Sequence, residues 1–273
     1  MKIAFCYFSA TGNTRRVAGE IASRLSALGA EVELKDLTTS QARQTKPDMT
    51  QYQAAVFGSP IHSMRAPRLV REWLEGLQGE GRPCATFFTY GGFQVAPTHF
   101  DTRRILQERG FKVVATAEFL GAHTFNLGGW QAMAGRPDDG DLAIARAYAE
   151  KIYERFAAGD TAIAESLDPS AYTNEQLDQF EGFRFKVLTT LPTRQGQECQ
   201  MCLLCEDDCP SGAMDAEKGE ADPAKCICCL RCVQNCPDEV LVINDLREAF
   251  KNKMNMDKET AETLAKKKSR IYL

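Results

Sequence analysis

Nine of the eleven cysteines fall between Cys199 and Cys236, and their spacing constrains this chain more than any other feature. The first set runs Cys199-x2-Cys202-x2-Cys205-x3-Cys209-Pro210, and the second runs Cys226-x2-Cys229-x2-Cys232-x3-Cys236-Pro237. The opening Met1-Lys2 leads straight into an apolar stretch, Ile3 to Phe8, too short for a secretory leader, and no run of eighteen or more uncharged apolar residues occurs. The expectation is a cytoplasmic protein without membrane insertion. In such a reducing compartment a cysteine cluster implies metal rather than disulfides.

Two copies of C-x2-C-x2-C-x3-C-P resemble the signature of bacterial-type ferredoxins with two [4Fe–4S] clusters. In that pattern three closely spaced cysteines wrap three corners of one cubane, and the fourth reaches the other cluster. The resulting metal assignment is Cys199, Cys202, Cys205 and Cys236 for one cluster, and Cys226, Cys229, Cys232 and Cys209 for the other. Zinc is the competing reading, but tetrahedral zinc sites use two separated C-x2-C pairs, not two sets of four. Cys228 would break the spacing as a ligand and is expected to pack beside the cluster. Cys6 and Cys84 lie in apolar runs and read as buried small hydrophobes.

Ahead of this module, short β-type runs alternate with helical patterns. The strand-like runs are Lys2–Phe8, Glu31–Lys35, Ala54–Phe57, Cys84–Tyr90 and Val113–Phe119. Several are continuously apolar, as parallel strands covered on both faces require. Between them, Thr14–Leu28 places Val17, Ile21, Leu25 and Leu28 on one helical face, and Pro67–Leu77, Thr98–Arg109 and Asp141–Ala158 look similar. Five strands alternating with four helices predict an α/β doubly wound parallel sheet. The expected organisation is a first domain over 1–159, a connector over 160–194 with a short helix from Asp168-Pro169 to about Phe180, the cysteine module over 195–243, and a basic helix over 244–273. Phe180, Phe183, Phe185 and Leu188 suggest that the connector packs.

Charge is unevenly distributed. Residues 195–243 hold three Lys or Arg against ten Asp or Glu, residues 244–273 hold eight against five, and residues 1–194 balance at 22 of each sign. An acidic module repels phosphate, so nucleic-acid binding is not expected. The basic tail reads as a solvated surface helix.

The chain leaves the first strand through Ser9-Ala10-Thr11-Gly12-Asn13-Thr14 and enters a helix at once. Hydroxyls and backbone N–H groups gathered at a helix N-terminus after the first strand of a βαβ unit are expected to hold a phosphate monoester; the plainer alternative is that they only cap the helix. There is no G-K-[ST] for a nucleoside triphosphate and no G-x-G-x-x-G for a nicotinamide cofactor. Strand, S-x-T-G-N-T and helix together resemble the FMN-phosphate loop of flavodoxins. Gly58-Ser59-Pro60-Ile61-His62 and Thr89-Tyr90-Gly91-Gly92-Phe93 are similar to the two loops that sandwich the isoalloxazine ring in that family. Over most of its length, the chain thus looks like the flavodoxin–ferredoxin fusions called the EFR1 family.

That resemblance implies a flavodoxin-like five-stranded sheet in the order 2-1-3-4-5, a small α+β two-cluster domain, and FMN with two [4Fe–4S] clusters as cofactors. Ser9, Thr11, Gly12, Asn13 and Thr14 would hold the phosphate. Pro60, Ile61 and His62 would line one side of the ring, and Tyr90, Gly91, Gly92 and Phe93 the other. The first ring loop lacks the tryptophan many flavodoxins place there, so His62, Met64 or the cysteine module would cover that face. His62 and Arg65 in this loop suggest a cation near the flavin and a less negative potential than in acidic flavodoxins; the plainer alternative is that Arg65 faces solvent and His62 packs. The loop from Gly121 to Pro137, with His123, Phe125 and Trp130, would either dock the cysteine module or cover a substrate. The expected function is electron transfer between the clusters, FMN and a protein redox partner. The alternative is an FMN-dependent reductase of a small molecule.

Overall fold

The structure, a computed structural model, describes residues 1–160, 162, 172–183 and 188–273. Its centre is a parallel sheet of β1 (Lys2–Tyr7), β2 (Glu31–Asp36), β3 (Ala54–Pro60), β4 (Pro83–Tyr90) and β5 (Lys112–Leu120), arranged β2-β1-β3-β4-β5. The continuous apolar runs arise because both faces are covered. Along β1, Ile3, Phe5 and Tyr7 pack under α1 (Asn13–Ala27) and α4 (Asp139–Ala157), while Ala4 and Cys6 pack under α2 (Arg68–Glu75) and α3 (Ala96–Glu108). On the first face Phe87 stacks against Phe5 and Phe119 at centroid distances of 5.9 and 6.1 Å, and the Tyr148 hydroxyl donates to the Thr86 carbonyl at 2.7 Å. Such aromatic pairs add about 0.5–1.5 kcal/mol each beyond their burial. Cys6 and Cys84 are fully enclosed on the second face, and burial pushes the Cys6 thiol up to about 12 and the Cys84 thiol higher still. They are inert small hydrophobes.

The sheet departs from the expected five strands. A sixth, β8 (Arg270–Tyr272), pairs antiparallel with β5, setting Ala117 opposite Ile271. The Ser269 hydroxyl accepts from Leu120 N at 3.0 Å and donates to Asp141 Oδ1 at 2.6 Å, which anchors the strand. The predicted basic helix over 244–273 is corrected too. It is α8 (Arg247–Met256), α9 (Ala261–Ala265) and β8. Lys258 takes a left-handed φ of 53°, and a new capping box, Thr260 with Thr263, starts α9.

Within the connector, α5 spans Asn174–Phe183. The expected start at Asp168-Pro169, and Phe185, lie outside the described residues. The cysteine module is a small α+β unit of α6 (Leu204–Asp207), the two-residue strands β6 (Met214–Asp215) and β7 (Glu220–Ala221), and α7 (Arg231–Asn235). Thr193 bridges to both Glu220 and Val242. Among the described residues, no helix is long and apolar enough to cross a membrane.

Candidate functional site

The turn after β1 brings the first set of predicted residues together. Gly12 has a φ of 96° and takes the N-cap position of α1, where any side chain would be strained. Gly12 has no side chain to cap it, and the first turn holds no acidic residue, so no carboxylate of that turn offsets the partial positive charge of the helix end. Around this turn Ser9 Oγ accepts from Arg15 N at 3.0 Å, Asn13 Nδ2 donates to the Ala122 carbonyl at 2.9 Å, and Thr14 Oγ1 lies 2.7 Å from Thr89 Oγ1. The last two bonds fix the loop to the ends of β4 and β5.

One cavity of about 790 Å³ runs from this turn across the carboxyl ends of the strands. Its volume lies within the ~300–1,000 Å³ typical of small-molecule sites. Ser9, Thr11, Asn13, Thr14, Pro60, Ile61, His62, Tyr90, Gly91 and Phe93 all line it. Gly12 and Gly92 do not; they shape the turns behind it, and Gly92 has a φ of 86°. A Cβ on Gly91 would sit 2.2 Å from His123, so glycine is what lets the β4 loop lie against the 121–137 loop.

Several walls of the cavity were not foreseen. Tyr172, Phe180 and Phe183 from the connector, Leu188, and Lys253 and Met256 from α8 also line it. Arg65 is the main correction. Its side chain is 5% exposed and turns away from the cavity, pairing with Asp178 and, at 3.1 Å, with Glu181 of α5. Arg71 reaches the same Glu181 carboxylate at 2.9 Å. These two arginines hold α5 over the first ring loop. The cation that does line the cavity is Lys253, which sits 5.2 Å from the Phe93 ring centroid and pairs with Asp257 at 2.6 Å. His62 and Met64 both line the space, but so does Trp130, which meets Phe93, Phe125 and Phe250 at 5.3–5.5 Å.

The 121–137 loop packs against the cysteine module and also lines the cavity. His123, Phe125 and Trp130 face the cavity, while Phe125 and Trp130 also pack with Cys228, Leu230 and Leu246. Cys228 is fully buried in that cluster.

The two cysteine sets have the same local backbone. Met201 and Cys228, each two residues after the first cysteine, have φ of 54° and 52°, and Leu203 and Leu230 have φ of 62° and 57°. In each copy the backbone N–H of that second residue donates to the first sulfur, Met201 N to Cys199 at 3.2 Å and Cys228 N to Cys226 at 3.4 Å. Cys199, Cys202 and Cys205 line one small cavity together with Cys236. Cys209 stands instead with the second set. Burial first, then Cys226 and Cys209 nearby, push the Cys229 thiol up to about 12, and burial with the same neighbours raises Cys232. Among the described residues, no three His, Cys, Asp or Glu side chains converge as a single-ion site.

The second set sits directly against the first domain. Cys229 and Ile227 share an apolar cluster with Phe8, Ala10 and Ala66. Arg231 donates to the Ala10 carbonyl at 2.8 Å and pairs with Asp208 at 3.1 Å, and Gln234 donates to the Thr11 carbonyl at 3.4 Å. Arg43 reaches the Pro210 carbonyl and Arg68 the Ala224 carbonyl. The first set faces outward, with Cys202, Met201, Leu203 and Leu204 exposed.

A family model described as a flavodoxin domain matches residues 4–120. The N-terminal region is a flavodoxin-like domain. Among solved structures, the chain is similar to a flavodoxin from the domain Archaea, at 20% identity over 57% of this chain and 99% of that one, with a TM-score of 0.45. Flavodoxin 2 from Bacillus cereus matches at 21% identity over 58% and 99%, with a TM-score of 0.45. Rubredoxin oxygen:oxidoreductase from Desulfovibrio gigas matches at 18% identity over 59% of this chain and 37% of that one, with a TM-score of 0.44. Comparison with curated proteins gave no match.

Proposed function

We propose that this protein is an electron-transfer flavoprotein of the flavodoxin–ferredoxin fusion type, holding one FMN and two [4Fe–4S] clusters. When bound, the clusters pass single electrons and FMN can store two. The observation that carries the reading is the contact between the second cysteine set and the S-x-T-G-N-T turn, through Arg231 and Cys229. It brings a cluster loop and a phosphate-type loop into one packed unit.

The residues fit the three groups. The N-terminus of α1, with no carboxylate in its first turn and with Ser9, Thr11, Asn13 and Thr14 around it, suits a phosphate monoester held by neutral donors. Pro60 to His62 and Tyr90 to Phe93 supply two walls for a flat ring, and the cavity has room for it. The left-handed residues in each cysteine loop turn backbone N–H groups toward sulfur, which stabilises thiolate ligands and tunes cluster potentials. Cys199, Cys202, Cys205 and Cys236 would hold the outer cluster; Cys226, Cys229, Cys232 and Cys209 would hold the inner one.

The exposure of the two sets sorts their tasks. The outer set, ringed by exposed Met201, Leu203 and Leu204, is where a protein partner exchanges electrons. The inner set, sealed against Ala10, faces the flavin side. Lys253, 5.2 Å from the Phe93 ring centroid, lines the cavity where the sequence had suggested His62 and Arg65, and its ion pair with Asp257 at 2.6 Å balances its charge. The aromatic and apolar side chains that α5 and α8 add to the cavity lining favour a second reading, a reductase acting on a small molecule.

Anaerobic purification followed by iron, sulfide and flavin analysis tests the proposal. The expected result is about eight iron atoms with matching sulfide and one FMN per chain. A colourless protein containing zinc would refute it.

A further inference from the structure

The residues that line this one cavity fall into two groups, an inner and an outer one, by the elements that carry them. The inner part is the hydroxyl-rich turn and the two ring loops, which the cofactor reading assigns to FMN. The outer part is built by the connector, α8 and the 121–137 loop, none of which that reading requires.

The outer part is aromatic and apolar. Phe180 and Phe183 both line it yet remain 38% and 50% exposed, and Met256 beside them is 79% exposed. On α5 only Leu177 is buried, so the helix spends its aromatic face on the cavity mouth instead of on the core. Large apolar side chains concentrated at a mouth, instead of scattered singly, mark a binding surface. What holds α5 there is polar. Glu181 bridges Arg65 and Arg71, and Asp178 adds to Arg65. The helix is thus fixed by charge on one side and offers rings on the other. Tyr172 stacks edge-on to Phe180 at 5.3 Å and sets the orientation of that ring.

The charge pattern narrows the ligand. The cation lining the outer part, Lys253, is matched by Asp257 at 2.6 Å, and Arg65 is consumed by α5. Among the described lining residues this leaves no net charge to reward an anion and no carboxylate cluster to reward a cation. His123 Nδ1 accepts from Phe125 N at 3.1 Å, so the proton of the neutral ring sits on Nε2.

We propose that the outer part of the cavity, between α5, α8 and the 121–137 loop, is a binding site for a flat, uncharged aromatic molecule. The ligand is gripped by Phe180 and Phe183 beside the ring loops. This deepens the small-molecule reading and rests on FMN filling the inner part.

The test uses the FMN-loaded holoprotein under anaerobic conditions, with 2-naphthol as an uncharged probe and 2-naphthoate as its anionic counterpart. Calorimetry and the visible flavin spectrum are the readouts. The site predicts saturable 2-naphthol binding with one probe per FMN, a change in the flavin spectrum, and at least about tenfold weaker binding of 2-naphthoate. The double variant Phe180→Ala/Phe183→Ala, whose rings lie outside the core, keeps its FMN and loses about tenfold in 2-naphthol affinity. Holoprotein that carries FMN but does not bind 2-naphthol, or a double variant that binds it as tightly as the parent, overturns the inference and leaves the cofactor reading standing. A chain that takes up no FMN overturns the cofactor reading, and with it the division of the cavity on which the site depends.

Discussion

Replacing Arg231 with alanine tests whether the cysteine module completes the flavin site. The guanidinium lies under the phosphate-type turn, donating to the Ala10 carbonyl at 2.8 Å and pairing with Asp208 at 3.1 Å. Asp208 retains Asn235 at 2.8 Å, so the substitution leaves no carboxylate without a partner. The principal loss is one charge-assisted hydrogen bond to a carbonyl, worth about 1.5–3 kcal/mol when buried. Arg231 is 19% exposed at its side chain, so water recovers part of that, and the low end of the range applies. About 1.4 kcal/mol corresponds to tenfold in an equilibrium constant. FMN affinity is therefore expected to fall up to about tenfold, because the Ala10–Thr11 backbone is no longer braced from behind. The assay is fluorescence quenching of FMN titrated into flavin-free protein that retains its clusters, with iron and sulfide counted on the same sample. Arg231→Lys, which keeps the charge, is expected to recover part of the loss. FMN binding within twofold of the parent, with iron content unchanged, would refute the idea that one module braces the other.

Further outcomes follow from other contacts. Cys228→Ala is expected to keep about eight iron atoms, whereas Cys229→Ala, one residue along, drops toward four, as iron analysis would show. Glu181→Ala removes the carboxylate shared by Arg65 and Arg71. Since Asp178 still holds Arg65, local opening of α5 is favoured by only about 1–2 kcal/mol, read as faster hydrogen exchange over 174–183. Burial opposes the charge on Asp141, but Arg136, Ser269 and the Asp138 backbone hold its carboxyl below the usual carboxylate range. A lowered folded-state value gives stability that is complete above an ordinary carboxylate pKa of about 4 and lost as pH falls through the folded value. Asp141→Asn should therefore lower the thermal midpoint at pH 7, with the difference from the parent shrinking as the pH drops below about 4.

The parts of the fold that could be read from sequence are those whose determinants are local. Continuous apolar runs such as Ala54–Phe57 announced strands covered on both faces, and Val17, Ile21 and Leu25 announced the buried side of α1. The cysteine spacing was equally local, because the positions of three cysteines in each loop follow from the chain between them. What was missed depends on distant partners. β8 is three residues long, follows the Lys266–Lys268 run and exists only because β5 offers an edge. Arg65 could be read as facing the cavity or the solvent, and does neither, because α5, more than a hundred positions later, supplies Asp178 and Glu181. Lys253 sits in a helix that gave no sign of where it would dock. The cavity's outer wall has the same origin, since Phe180 and Phe183 announced a connector that packs but not what it packs against.

β8 also carries a consequence for biosynthesis. The cysteine module lies between β5 and the strand that covers it, so the exposed side of β5 stays open while residues 121–269 are made. Such an open edge invites pairing with other chains. The last step in building the six-stranded sheet therefore waits until every cysteine has left the ribosome, and a chain stalled before Arg270 would carry its metal-binding loops on an aggregation-prone scaffold.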